Sequence, residues 1–95
     1  MRRVSIFGAT GSIGQNTIDL IARAPDDYDV VALTGAGNID LLAKDARRLN
    51  AQIAVTAHDH LLDDLRAALR GSDVVAAAGS TALTEAAARP AEGAG

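Results

Sequence analysis

Three glycines, Gly8, Gly11 and Gly14, stand at regular spacing just after a short apolar segment, in the run Gly8-Ala9-Thr10-Gly11-Ser12-Ile13-Gly14. A glycine-rich turn between a strand and a helix directs backbone N–H groups and the positive end of the helix dipole at one point, which suits a pyrophosphate. The run therefore predicts a site that binds a dinucleotide through its phosphates.

Each glycine is expected to have a separate function. Gly8 lets the chain leave the strand in a tight turn, Gly11 removes a Cβ that would obstruct a phosphate, and Gly14 lets the helix approach the sheet. Thr10 and Ser12 are expected to donate hydroxyl groups or to cap the helix. The spacing G-x-x-G-x-x-G departs from the strict G-x-G-x-x-G, so a glycine-rich loop in some other doubly wound domain is the alternative.

The segments around the turn predict a strand, a helix and a second strand, which together make a βαβ unit. Residues 2–7 are the first strand, and residues 29–34, with a continuous apolar centre, are the second. The helix between them is predicted to end at Pro25. Its expected apolar positions fall at helical spacing: Ile13, Thr17, Leu20, Ile21 and Ala24.

The rest of the chain repeats this alternation. The predicted elements are a helix capped by Asn38, a strand over 52–55, a helix with Asp59 as a cap, a strand over 73–77, and an alanine-rich helix over 80–88 that begins at a Ser80-Thr81 cap. The order predicts an α/β, Rossmann-like, doubly wound parallel sheet with helices on both faces, formed by residues 1–89. Residues 90–95 lack any pattern, so they are expected to be a disordered tail that leaves the sheet truncated before its switch point.

Composition excludes several classes of function. The net charge is −3 over 95 residues and the basic residues are scattered, which gives no support to nucleic-acid binding. Without cysteine, the chain has no disulfide, no thiolate metal site and no cysteine nucleophile. No segment is apolar enough to span a membrane and no signal-peptide pattern is present, so a cytoplasmic location is expected.

The residues after the second strand bear on the choice of dinucleotide. An NAD-type site places an acidic residue there, about 20 residues beyond the glycines, where it accepts the ribose 2′-hydroxyl. Here these positions are Thr34-Gly35-Ala36-Gly37. The absence of an acid leaves room for a 2′-phosphate and favours NADP, although no Arg or Lys is present there to hold it.

Beyond the glycine turn, Thr17, Asp19 and Pro25 are followed by the run Val30-Val31-Ala32-Leu33. With these residues the chain resembles the amino-terminal, NADPH-binding domain of the 1-deoxy-D-xylulose-5-phosphate reductoisomerase family, from about Arg3 to Val55 and more loosely to Ala88. Members of that family convert 1-deoxy-D-xylulose 5-phosphate to 2-C-methyl-D-erythritol 4-phosphate with NADPH and a divalent metal, Mg or Mn, in non-mevalonate isoprenoid biosynthesis. The resemblance implies an oxidoreductase.

The resemblance also implies two groups of cofactor-binding residues. Thr10, Gly11, Ser12 and Ile13 would line the pyrophosphate of NADPH, and the segment Ala36-Gly37-Asn38 would lie by the adenosine ribose and its 2′-phosphate. Members of the family usually carry Lys or Arg at the position of Gly37 and Gly at the position of Ala36. The chain departs from the family at both positions and lacks the cation.

Catalytic, metal-binding and sugar-phosphate-binding residues of the family lie beyond the matched segment. The isolated chain is therefore expected to lack the catalytic and C-terminal domains, to bind NADPH without turnover, and to correspond to part of a homodimeric enzyme. No catalytic or metal residue is assigned. Asp63 with Asp64, and His58 with His60, are interpreted as solvated side chains rather than metal ligands.

Two alternatives remain at this stage. A short-chain-dehydrogenase-like epimerase or reductase shares similar glycine turns but needs a Tyr-x-x-x-Lys pair, and Tyr28 is followed four residues later by Ala32. A non-enzymatic nucleotide-binding module is the other, although no large aromatic or charged patch is evident for docking a partner.

Overall fold

The computed structural model describes residues 2–94, which form a parallel sheet with helices on both faces. The strands are β1 (Arg2–Ile6), β2 (Tyr28–Gly35), β3 (Ile53–Thr56), β4 (Val75–Ala78) and β5 (Glu92–Ala94). The helices are α1 (Ser12–Ala22), α2 (Ile39–Leu49), α3 (Leu62–Ala68) and α4 (Gly79–Ala88), with short 3-10 turns at Pro25–Asp27 and Asp59–Leu61. The predicted α/β, Rossmann-like architecture is confirmed.

The two faces of the sheet carry separate hydrophobic clusters. One cluster joins α1, α2 and α3 to the sheet through side chains such as Ile18, Leu42 and Leu65. The other is smaller and joins α4 to the opposite face through Ala86. Side chains along a strand alternate between the two faces of the sheet. The centre of β2 is an exception, because the adjacent residues Val31 and Ala32 both belong to the α4 cluster. A register shift in the β1–β2 pairing at this point accounts for the exception.

The strand order β4-β3-β2-β1-β5 creates a reversal beside β1. The chain builds β2, β3 and β4 outward on one side of β1, and then α4 returns across the other face to β5, which pairs parallel with β1. In open α/β sheets, ligands bind outside the carboxyl ends of the strands at such a reversal. The expectation that the sheet stops before its switch point is therefore wrong.

The predicted disordered tail over residues 90–95 needs the same correction. Glu92–Ala94 form β5, with Val4 opposite Glu92 and Ile6 opposite Ala94, whereas Gly95 lies outside the described residues. The segment has little apolar bulk, which is why its sequence indicates no structure. Pairing with the open edge of β1 uses backbone N–H and C=O groups, so it does not require an apolar pattern.

The buried face of helix α1 agrees with the predicted apolar positions at Ile21 but not at Ile13 or Leu20. Its buried residues are Gly14, Ile18 and Ile21, while Ile13 and Leu20 are 71% and 65% exposed. Both sets recur at intervals of three and four residues, so helical spacing fits either face. The face that contains Gly14 is the buried one, because the missing side chain of Gly14 lets α1 pack against the backbone of the turn at Ala9.

Among the side-chain caps predicted for α2, α3 and α4, the structure has the one on α2 and lacks the other two. Asn38 caps α2, since its Oδ1 accepts a hydrogen bond from the N–H of Leu41 at 3.3 Å. Asp59 does not cap α3, because it lies in the 3-10 turn before that helix. Helix α4 begins at Gly79, one residue before the predicted Ser80-Thr81 cap, and has no side-chain cap.

Candidate cofactor site

The turn between β1 and α1 is fastened to the end of β2. Gly8 has a φ of +70°, a left-handed conformation that favours glycine, and its N–H donates to Thr34 Oγ1 at 3.0 Å. The next N–H, of Ala9, donates to the Thr34 carbonyl at 2.7 Å. Sequence reasoning placed Thr34 only at a strand end, yet both of its oxygens hold the turn in position.

Gly11 and Gly14 are required for different reasons. A Cβ on Gly14 would lie 2.7 Å from Ala9 Cα and 2.8 Å from the Ala9 carbonyl oxygen, so only glycine fits against the turn. A Cβ on Gly11 would lie 3.5 Å from the Gly8 oxygen, which is an ordinary van der Waals distance. Packing within the chain therefore explains why position 14 is a glycine. It does not explain the glycine at position 11, which is consistent with a bound ligand that needs the space.

The start of α1 is open to solvent and suited to an anion. Gly11 is the N-cap residue, and the N–H groups of Ser12, Ile13 and Gly14 have no acceptor within the helix. The first turn of α1 contains no acidic side chain. Neither Thr10 nor Ser12 caps α1, contrary to one of the two functions predicted for them. Such an arrangement of open N–H groups at a helix start is one that binds phosphate groups in proteins.

A partly buried polar contact links the turn to helix α2. The Gln15 side-chain amide donates to the Ala9 carbonyl at 2.9 Å and to Asp45 Oδ2 at 2.7 Å. Asp45 lies on α2 and is only 2% exposed. The pair thus connects the glycine turn to the second helix. Sequence reasoning missed both residues; the one available signal was an acidic residue among the apolar positions of α2.

The structure brings the second predicted group, Ala36-Gly37-Asn38, to the same edge of the sheet as the first. The loop follows β2, and Gly35 at its start lies under Thr10, because a Cβ on Gly35 would be 3.4 Å from Thr10 Cγ2. Asn38 is engaged as the cap of α2. All three loop residues are exposed, and a Cβ on Gly37 would have no neighbour within 4 Å. Both predicted groups therefore lie on one open surface.

Acidic side chains lie beside the loop that follows β2. Gly37 and Asn38 line a cleft between α2 and α3 together with Asp40 and Asp64. A second cleft, near Pro25, Tyr28 and Arg48, contains none of the predicted site residues. It lies at the opposite ends of the strands, away from the glycine turn.

Two further findings concern the described residues. Between Arg2 and Ala94, no group of three or more His, Asp or Glu side chains is arranged to hold a metal ion. His58 and His60 have ring centroids 5.5 Å apart and belong to no such group. Within the same part of the chain, no helix has both the length and the apolar character needed to cross a membrane.

Comparison with known proteins identifies one family. A family model described as 1-deoxy-D-xylulose 5-phosphate reductoisomerase matches residues 4–93. Curated relatives of that name from Jannaschia sp. (strain CCS1) and Ruegeria pomeroyi are 78% and 72% identical over 91 and 92 residues. These matches cover 96% and 97% of this chain but 23% of each relative. The chain thus spans about a quarter of the length of the curated relatives that it matches.

Solved structures agree with the sequence comparison. The 1-deoxy-D-xylulose 5-phosphate reductoisomerase from Zymomonas mobilis in complex with NADPH is 53% identical and superposes with a TM-score of 0.93, over 95% of this chain and 24% of that one. A DOX-P reductoisomerase in complex with NADPH, fosmidomycin and magnesium is 30% identical, with a TM-score of 0.87, over 97% of this chain and 23% of that one.

Proposed function

Since the chain belongs to the 1-deoxy-D-xylulose 5-phosphate reductoisomerase family, we propose that it binds NADPH across the carboxyl ends of β1 and β2. The observation that carries the proposal is the open start of α1 at Gly11, Ser12 and Ile13, next to the reversal of strand order at β1. The relative from Zymomonas mobilis, solved in complex with NADPH, has the same fold over these residues.

In this proposal the two loops hold opposite parts of the cofactor. The N–H groups of Ser12 and Ile13 donate to the pyrophosphate, and the missing Cβ of Gly11 lets it approach the backbone. Thr10 lies between this position and the loop Ala36–Asn38, beside which the adenosine ribose is placed. Thr34 and the Gln15 amide keep the turn rigid, so little ordering of the turn is required when the cofactor binds. NADPH, when bound, supplies a hydride.

The wider activity is proposed from the family. The reaction is the conversion of 1-deoxy-D-xylulose 5-phosphate to 2-C-methyl-D-erythritol 4-phosphate in isoprenoid precursor biosynthesis, by an NADPH-dependent, divalent-metal-dependent reductoisomerase. The residues between Arg2 and Ala94 contribute the cofactor site to this activity and no metal cluster. A homodimer and a cytoplasmic location belong to the same proposal. The short-chain-dehydrogenase alternative loses its support, because the reductoisomerase family model spans residues 4–93.

Isothermal titration of the folded chain with NADPH tests the binding proposal directly. We expect saturable binding at one site, which nicotinamide mononucleotide, lacking the pyrophosphate and adenosine, does not reproduce. A matched control is Asn16→Ala, which alters an exposed residue of α1 one turn beyond the site. It should bind NADPH as the unmodified chain does. The absence of heat with millimolar NADPH would refute the proposal.

A further inference from the structure

The end of β3 is joined to the loop that the proposed function assigns to the adenosine ribose. Strands β2 and β3 are neighbours, with Gly35 opposite Thr56, and the N–H of Ala57 donates to the Gly35 carbonyl at 2.9 Å. Thr56 is fully buried, and its hydroxyl donates to the Ala36 carbonyl at 2.6 Å. The same hydroxyl oxygen accepts from the N–H of His58 at 3.3 Å. The backbone of His58 is therefore linked through the Thr56 hydroxyl to Ala36, the residue that precedes Gly37 in the loop.

This position matters because the loop itself has no cationic side chain for a 2′-phosphate. Residues 36–38 carry no basic side chain, whereas a Rossmann-type site selective for NADP places an arginine near the 2′-phosphate. Carboxylates of Asp40 and Asp64 line the cleft on the α3 side of the loop, and they repel an anion. A 2′-phosphate is thereby directed toward the end of β3.

The carboxylate of Asp59, the acidic neighbour of His58 in the chain, lies next to Gly79 of α4. The Asp59 carboxylate packs against Gly79 at the start of α4, where a Cβ would lie 3.3 Å from Asp59 Cγ. The His60 ring lies 5.5 Å from the His58 ring, at 46° to it. His58 is exposed, and an imidazole offers an N–H donor in either protonation state.

From this juxtaposition, and resting on the proposed function, we propose that His58 contacts the 2′-phosphate of NADPH and sets the preference for NADPH over NADH. It takes the place of the cation that the Gly37 position lacks. Its role is in specificity, because the 2′-phosphate is remote from the nicotinamide ring that exchanges the hydride.

The test compares the dissociation constants of NADPH and NADH for the full chain and for His58→Ala. A hydrogen bond to a charged group is lost with NADPH only, so we expect Kd to rise about tenfold for NADPH and less than about twofold for NADH. Gln52→Ala is the matched control, because it removes an exposed polar side chain at the opposite end of β3. It should change neither constant. Thermal melts establish that each variant is folded.

A second variant keeps the inference testable if His58→Ala folds poorly. His58→Glu retains a polar side chain but repels phosphate, so it should weaken NADPH more than His58→Ala while leaving NADH unchanged. Equal effects on the two cofactors, or none, would overturn the role of His58 and leave the proposed function standing. Equal affinity of the unmodified chain for both cofactors would have the same meaning. Failure of the unmodified chain to bind either would instead refute the proposed function, and the role of His58 with it.

Discussion

Gly11 and Gly14, three residues apart in one turn, should respond in opposite ways to a side chain. Gly14 is buried, and a Cβ there would lie 2.7 Å from Ala9 Cα and 2.8 Å from its carbonyl oxygen. These neighbours are backbone atoms, so no rotamer change relieves the overlap and α1 must move away from the turn. Overpacking of this kind costs about 1–3 kcal/mol, and the upper end applies here because the obstacle is backbone.

Helix propensity offsets part of that cost. Alanine is favoured over glycine inside a helix by about 1 kcal/mol, so Gly14→Ala should lower the free energy of unfolding by about 2 kcal/mol. For a domain of this size the melting temperature should fall by roughly 8–16 °C. Gly11 has a φ of −82° and no close neighbour, so Gly11→Val should lower the free energy of unfolding by less than about 1 kcal/mol.

The two substitutions should affect NADPH affinity in the opposite order, with Gly11→Val weakening binding more than Gly14→Ala does. Gly11→Val places a branched side chain where the pyrophosphate approaches, and loss of one charge-assisted hydrogen bond alone would weaken NADPH by about tenfold or more. Gly14→Ala, measured well below its melting temperature, should bind NADPH more tightly than Gly11→Val does. Thermal melts by circular dichroism and titration with NADPH give both quantities. The reasoning fails if Gly11→Val unfolds as readily as Gly14→Ala, or if it binds NADPH normally.

Three further predictions concern other positions. Gly37→Arg should tighten NADPH about tenfold relative to NADH, since a Cβ at this position meets nothing within 4 Å and an arginine supplies a bidentate phosphate partner; equal gains for both cofactors would contradict this. Ser5→Ala should raise the free energy of unfolding by about 1 kcal/mol in denaturant titration, because the buried Ser5 hydroxyl has no hydrogen-bond partner among the described residues; a decrease would show that the hydroxyl is satisfied. Asp45→Ala should lower the free energy of unfolding by about 1–3 kcal/mol, because it leaves the Gln15 amide with an unpaired N–H. The same change should weaken the binding of NADPH, because the turn is held less firmly. Unchanged stability would refute this role of Asp45.

Much of the fold follows from the sequence alone, because its signals are local. A strand that leads into a glycine turn and then a helix can be recognised from residues adjacent in the chain, and the Asn38 cap depends on an N–H only three residues away. The two loops assigned to the cofactor are likewise predictable, because the carboxyl ends of neighbouring parallel strands share one edge of the sheet. The assignment of individual residues to NADPH stays a prediction.

Features that depend on distant partners were decided only by the tertiary structure. Strand β5 forms because β1 has an open edge, which the side chains of residues 92–94 do not signal. The buried Asp45 has its hydrogen-bond partner in Gln15, which lies on another helix 30 residues earlier in the chain. The buried face of α1 was chosen by contact with the turn, since Gly14 admits the backbone of Ala9 and Ile13 would not. Local hydrogen bonding and hydrophobic spacing define each element, but packing against the rest of the chain determines which of its faces is buried.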